Sequence, residues 1–137
     1  MAALFSSPPI AIASNIWLLR GWVNTAALLL GIEAIAQQAP LRHMPVPGGQ
    51  SMSVAMTNCG ALGWVTDAAG YRYSTTDPMT QKPWPSLPPS WQTLAHDAAA
   101  LAGWPGFAPD ACLVNRYEIG ARMGLHQDKN EIGRAHV

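Results

Sequence analysis

The sequence predicts an α+β domain in which two helices buttress a sheet. Three observations point there. Helical hydrophobic spacing recurs in two separated segments, and strand-like segments dominate the later part of the chain. Twelve prolines and twelve glycines among 137 residues promise loops and strands rather than a helical bundle. The length is that of one domain.

The elements follow in chain order. The opening residues, Met1 to Pro9, contain prolines and are expected to fray. Ile16-Trp17-Leu18-Leu19 reads as a short strand. Asn24 is a good helix N-cap, because its side-chain oxygen accepts from a first-turn amide that has no intrahelical partner. From Thr25 to Gln38 the residues Leu28, Leu29, Ile32, Ile35 and Ala36 recur at helical spacing, until Pro40 stops the pattern. Met44 to Gly49 is turn-rich. Ser51 to Asn58 is expected to be a strand with Met52, Val54 and Met56 on one side, and Asn58-Cys59-Gly60 to turn the chain.

A second strand is expected around Tyr71-Arg72-Tyr73. The five prolines between Asp77 and Pro89 exclude helix and interior strand. Ser90 is expected to cap a second helix whose Trp91, Leu94, Ala98 and Leu101 share a face and which Gly103 ends. Ala111 to Tyr117 reads as a strand, Glu118 to Ala121 as a turn, and Arg122 to Asp128 as a further strand or its end.

Composition narrows the function classes. Eight basic residues balance eight acidic ones, and charged residues are only 12% of the chain. Bulk electrostatic gripping of nucleic acid is therefore excluded, though a basic groove near Arg116, Arg122, Lys129 and Arg134 is not. Cys59 and Cys112 are too few for a disulfide scaffold and read as free buried thiols. The N-terminus has no basic n-region, and the longest apolar run, Ala26 to Ile32, is far short of the roughly 20 residues that span a bilayer. A soluble, cytoplasmic protein without membrane contact is expected.

The sharpest chemical signal is His126-Gln127-Asp128. Residues two apart on an extended chain project to one face, so an imidazole and a carboxylate converge. They are two of the three ligands in the facial triad of non-haem Fe(II) oxygenases; a bland surface pair is the alternative. Leu113, Asn115 and Tyr117 alternate on one strand face, where an amide and a phenol could hydrogen-bond a small dicarboxylate, or simply face solvent at a sheet edge. Trp64 and Tyr71 lie in Gly-punctuated stretches. Such rings can stack on a nucleobase, yet from composition alone plain packing is the favoured reading of Trp64.

Four blocks carry a family resemblance: Met52 to Gly60, Asp77-Pro78 with Lys82-Pro83-Trp84-Pro85, Pro109 to Tyr117, and Leu125-His126-Gln127-Asp128-Lys129. With near-constant spacing from about Trp17 to Glu131, the chain resembles the bacterial AlkB family of Fe(II)- and 2-oxoglutarate-dependent DNA oxidative demethylases. The resemblance implies a double-stranded β-helix (jelly-roll) core with buttressing helices and a nucleotide-recognition lid, roughly residues 45–90. It implies Fe(II) on His126 and Asp128, and 2-oxoglutarate against Leu113, Asn115, Arg116 and Tyr117. It also implies a damaged base stacked on Trp64, with Met56, Tyr71, Arg72, Tyr73 and Asn130 in the substrate region. The family's reaction consumes dioxygen, releases succinate and carbon dioxide, and hydroxylates an N-methyl group that leaves as formaldehyde. Cationic lesions such as 1-methyladenine and 3-methylcytosine suit a tryptophan face and pair poorly, which lowers the cost of extrusion. The expected partner is DNA, single-stranded or with a flipped base, with RNA as second candidate; the protein is expected to act as a monomer.

Two positions depart from the family. Asn130 stands where an aspartate is common, which removes a charge complement to the exocyclic amine of the base. Arg122 replaces a lysine, keeping the charge but not its geometry. The likeness also stops after Glu131: no residue matches the family's distal histidine ligand or its 2-oxoglutarate arginines. His136 stands too near His126, and His43 and His96 precede the motif. The expectation is a truncated dioxygenase domain over 1–131 and a non-native tail over 132–137, since Glu131 to Val137 looks like a translated sequencing adapter. Such a half-built jelly roll is expected to fold poorly and to be inactive by itself. Two other readings stay open: a 2-oxoglutarate dioxygenase of another substrate class, which alanine at Trp64 and Tyr71 would expose, and a non-catalytic single-strand-binding fragment.

Overall fold

The computed structural model describes residues 7–128. Asn130 and the 132–137 tail lie outside the described residues.

Strands β1 (Ile10–Ala13) and β2 (Ile16–Leu18) form an exposed antiparallel hairpin, with Ile10 opposite Leu18 and Ala11 opposite Trp17. Asn15 turns it at φ 61, a left-handed conformation that asparagine tolerates better than most residues. The sequence reading found β2 and assigned no element to Ile10–Ala13. Helix α1 (Thr25–Gln38) has the expected bounds. The Asn24 side chain accepts from the Ala27 N–H at 3.1 Å, and the Ala39 N–H closes the last turn onto Ile35 O at 2.8 Å before Pro40. The packed stripe is Leu28, Ile32, Ile35 and Ala39. Leu29, expected on that face, is 59% exposed, because it sits one 100° step from Leu28 and falls beside the stripe.

Strands β3 (Ala55–Gly60) and β6 (Ala111–Arg116) pair antiparallel, with Met56 opposite Asn115 and Cys59 opposite Cys112. On its other edge β3 is flanked by the chain leaving α1. Arg42 and Met56 exchange backbone hydrogen bonds of 3.0 and 2.9 Å, and the Gly60 N–H donates to Pro85 O at 2.8 Å. Strands β4 (Gly63–Asp67) and β5 (Gly70–Ser74) form a second hairpin. Helix α2 (Pro89–Leu101) precedes β6. Two helices and antiparallel strands bear out the α+β class. Among the described residues no helix is long and apolar enough to cross a membrane.

Three local expectations are corrected. Asn58-Cys59-Gly60 does not turn the chain but completes β3, which begins at Ala55 rather than Ser51. The turn-forming residues serve other ends there: the Asn58 amide bonds Trp64, and Gly60, at φ +117, lets Asp110 approach where a Cβ would stand 2.6 Å from its carbonyl oxygen. Ser90 does not cap α2: Pro88 takes that place, with Pro89 pre-set for the first helical turn, and no side-chain cap bond is made. Arg122 to Asp128 forms no strand. The segment is held beside residue 53, where the Ser53 hydroxyl donates to Arg122 O at 3.0 Å and accepts from Arg122 N–H at 3.1 Å. The end of α2 is as expected: Gly103 (φ +95) donates to Ala100 O at 3.0 Å and Trp104 to Ala99 O at 2.8 Å, a Schellman ending.

The core lies on both faces of β3. On one face Ile35 of α1, Cys59 and Leu87 cluster with Trp91 of α2 and Cys112. On the other, Met44, Val54, Met56, Val65 and Trp84 cluster with Met52, Trp64 and Met123. The proline-rich segment is fastened across this second face. The Trp84 indole N–H donates to Ser74 O at 3.0 Å, and its ring lies against Gly63, where a Cβ would come within 2.3 Å. Asp77, fully buried, receives both terminal nitrogens of Arg42 at 2.7 Å, and that guanidinium lies 5.3 Å from the centroid of the Trp84 ring. Burial opposes ionisation of Asp77, but the hydrogen bonds from Arg42 and from the Met79 N–H outweigh it and hold the carboxyl below its ordinary range.

Candidate active site

A cleft of about 440 Å³ opens on the Met56 face of the β3–β6 pair. Strand alternation sets its floor. Leu113, Asn115 and Tyr117 project to one side, beside Met56 from the neighbouring strand. Trp64 of β4 and Tyr71 and Tyr73 of β5 form a wall. Met52, Met123, His126, Gln127 and Asp128 complete the lining.

The same alternation turns two expected residues away. Arg116, between Asn115 and Tyr117, faces the opposite side and reaches Glu118 at 3.4 Å. Arg72, between the two tyrosines, faces away and pairs with Asp67 at 2.8 Å. The hydrogen bond from Arg72, helped by the Ala69 N–H, holds the Asp67 carboxyl below its ordinary range. The structure thus brings together His126, Asp128, Leu113, Asn115, Tyr117, Met56, Trp64, Tyr71 and Tyr73, and leaves Arg72 and Arg116 outside the cleft.

The aromatic wall is ordered, not a flexible connection. Trp64 and Tyr71 stack with centroids 6.0 Å apart and planes 24° from parallel, a spacing favourable for offset rings. Trp64 sits on a paired strand opposite Tyr73. Its backbone is clamped by Asn58, whose Nδ2 donates to Trp64 O and whose Oδ1 accepts from Trp64 N–H, both at 2.9 Å. The Trp64 indole N–H is buried and has no hydrogen-bond partner among the described residues.

His126 and Asp128 converge as extended-chain geometry requires. His126 Nε2 stands 3.3 Å from Asp128 Oδ1, with both side chains more than half exposed at the cleft. Two ligands at right angles on one ion, each about 2.1 Å from it, stand roughly 3 Å apart, so the pair fits a shared metal. The other ring nitrogen, Nδ1, lies 2.8 Å from Gly124 O. A proton on Nδ1 donated to that carbonyl directs the Nε2 lone pair toward the Asp128 side, which is the orientation metal-binding imidazoles use. Among the described residues no group of three histidines, cysteines or carboxylates forms a fuller site.

Sequence reasoning missed Met123 and Gln127 as lining residues and Asn58 as the clamp on Trp64. Met52 was legible, since its alternation with Met56 had already placed both on one side.

Known proteins share extensive sequence with this chain. A family model described as the 2OG-Fe(II) oxygenase superfamily matches residues 15–137. The chain is 52% identical over 122 residues to the alpha-ketoglutarate-dependent dioxygenase AlkB of Escherichia coli K12, covering 88% of this chain and 56% of that protein. It is 57% identical over 105 residues to the protein of the same name from Salmonella typhimurium, covering 77% and 49%. It is 49% identical over 105 residues to an AlkB homolog of Caulobacter vibrioides, covering 77% and 46%. The chain spans about half the length of the curated relatives it matches.

Proposed function

The chain belongs to the 2OG-Fe(II) oxygenase superfamily, and from that premise we propose that it supplies the iron-binding pair and the base-recognition wall of an AlkB-type dioxygenase that removes N-alkyl groups from nucleic-acid bases. The observation that carries this reading is one cleft holding both a convergent His126–Asp128 pair and the Trp64–Tyr71 stack. A metal pair alone would suit many oxidations. A metal pair facing two stacked aromatic rings suits oxidation of a planar, π-stacking substrate.

Each lining residue then has a task. His126 and Asp128 would hold Fe(II). Asn115 and Tyr117 would present an amide and a phenol to 2-oxoglutarate. Trp64 and Tyr71 receive the base, and Met56 fills the pocket beneath it. Bound iron with 2-oxoglutarate and dioxygen supplies the oxidant that hydroxylates an N-methyl group. The chain's own residues orient the base and exclude water from its ring faces. A cationic ring such as 1-methyladenine or 3-methylcytosine is attracted to the indole face beyond its stacking, so these lesions are the proposed substrates, in DNA first and RNA second. In this reading the segment from about 45 to 90 is the nucleotide-recognition lid of a jelly-roll core.

The test is discrimination, read by anisotropy of a labelled oligonucleotide. The chain should bind a single strand carrying one 3-methylcytosine more tightly than the unmodified strand, and Trp64→Ala should erase the difference. Equal affinity for both strands in the unsubstituted protein would remove base repair as the function.

A further inference from the structure

Cys59 and Cys112 occupy directly opposed positions on β3 and β6, on the face turned away from the cleft. Backbone geometry fixes the kind of pair they make. Met56 directs both its N–H and its C=O to Arg42, so the alternate residues Ala55, Thr57 and Cys59 direct theirs to β6. Cys59 and Cys112 are therefore a hydrogen-bonded antiparallel pair, whose Cα atoms stand about 5.5 Å apart, within the commonest span of a disulfide. Both are free thiols.

The two sulfurs are not equivalent. Cys59 is fully buried beneath Ile35 and Leu87, whereas Cys112 is half-exposed at the edge of that cluster. The neighbouring Cys59 thiol lowers the Cys112 thiol to about 7, while Cys112 and burial push Cys59 up. Cys112 is thus the sulfur an oxidant reaches first and Cys59 the one shielded opposite it, the division of labour expected of an attacking and a resolving cysteine.

We propose that Cys59 and Cys112 form a redox-active dithiol, which hydrogen peroxide converts reversibly into a cross-strand disulfide between β3 and β6. In the first step the Cys112 thiolate attacks one peroxide oxygen. The O–O bond breaks, hydroxide departs and takes up a proton as water, and Cys112 becomes a sulfenic acid. In the second, the Cys59 sulfur attacks Cys112. The S–O bond breaks, and the Cys59 proton leaves with the hydroxyl as a second water. Two thiols and one peroxide give one disulfide and two waters. The bond would tie together the two strands that carry Met56 and Asn115 without entering the cleft, and it stands independently of what the cleft binds.

The experiment treats the 137-residue chain with hydrogen peroxide, quenches it in acid, alkylates remaining thiols in denaturant, and maps the peptides by mass spectrometry. The expected result is a Cys59–Cys112 peptide pair lighter by two hydrogens, in a protein that stays monomeric on a non-reducing gel and regains both alkylatable thiols with dithiothreitol. Cys59 still alkylatable while Cys112 has gone to sulfinic acid would overturn the proposal, as would a disulfide found only between two chains. In Cys59→Ala, a dimedone-type probe should trap Cys112 as a sulfenic acid; a folded variant that yields no adduct would overturn the assigned order of attack. Circular dichroism decides whether that variant is folded. If it is not, the peptide map of the unsubstituted chain decides by itself.

Discussion

Asn58 holds both backbone polar groups of Trp64, donating to its carbonyl and accepting from its N–H at 2.9 Å each. A fully buried side chain thereby does what a neighbouring strand would do, and couples the β3–β6 floor to the β4–β5 wall. Gly63 makes the approach possible, since a Cβ there would stand 2.9 Å from that of Asn58. Truncating Asn58 leaves two backbone groups of a half-buried strand without partners. Asn58→Ala should lower stability by about 2–4 kcal/mol in urea unfolding. It should also reduce the preference for a methylated over an unmodified oligonucleotide, because the indole is no longer fixed. Asn58→Asp keeps the acceptor, loses the donor and buries a charge, so it should fall at least as far. A variant that loses stability but keeps the full methyl-base preference would show that the clamp serves folding alone.

Asp77 and Arg42 form the one buried ion pair among the described residues, and its consequence is a pH dependence with a definite sign. The carboxyl is held below its ordinary value in the folded protein. Its contribution is therefore fully present above the unfolded pKa, about 3.9, and is lost as pH falls through the lower folded value. At neutral pH, Asp77→Ala should cost about 3–5 kcal/mol, because it strands a largely buried guanidinium under Trp84. The gap between the parent and variant midpoints in urea should close as the pH drops below 4. A gap that stays constant from neutral pH to pH 3 would assign the cost to packing instead.

The metal reading predicts an effect that can be measured. With His126 and Asp128 as the convergent donor pair, the 137-residue chain should bind Mn(II), a redox-silent stand-in for Fe(II). Calorimetric titration should show that either His126→Ala or Asp128→Ala abolishes what binding there is, while His96→Ala, on an exposed turn of α2, leaves it unchanged. Mn(II) binding that survives both substitutions would remove this pair as the metal site.

Helix α1, strand β6 and the alternating cleft residues were legible because each is governed locally. Asn24 and Pro40 bracket α1, and period-two alternation alone sends Leu113, Asn115 and Tyr117 one way and Arg116 the other. The errors arise where a residue with a strong local preference is used over distance. Asn58 and Gly60 read as a turn, yet one clamps a strand and the other admits the Asp110 backbone. Trp64 read as belonging to a Gly-punctuated connection, yet the glycine before it is what lets β4 lie against Trp84. The segment after Gly120 shows the opposite failure: its alternation resembles a strand, but among the described residues a side-chain bond to Ser53 holds it. The convergence of His126 and Asp128 survives, because two residues on an extended chain need no ladder to share a face.

Gly31 offers a test of the helix layer in which two effects oppose each other. It lies inside α1, where alanine is favoured over glycine by about 1 kcal/mol. A Cβ at that position, however, would come within 2.8 Å of the Trp91 ring on α2, and overpacking of this kind costs about 1–3 kcal/mol. That ring is held between the helices and against the Ile35 cluster, so it has little room to give. Gly31→Ala should therefore be net destabilising, seen as a lower thermal midpoint. Trp91→Phe in the same chain frees the space occupied by the six-membered part of the indole, and the double variant should be more stable than the Gly31→Ala and Trp91→Phe effects added together. Simple additivity would mean that α1 and α2 do not meet through this pair.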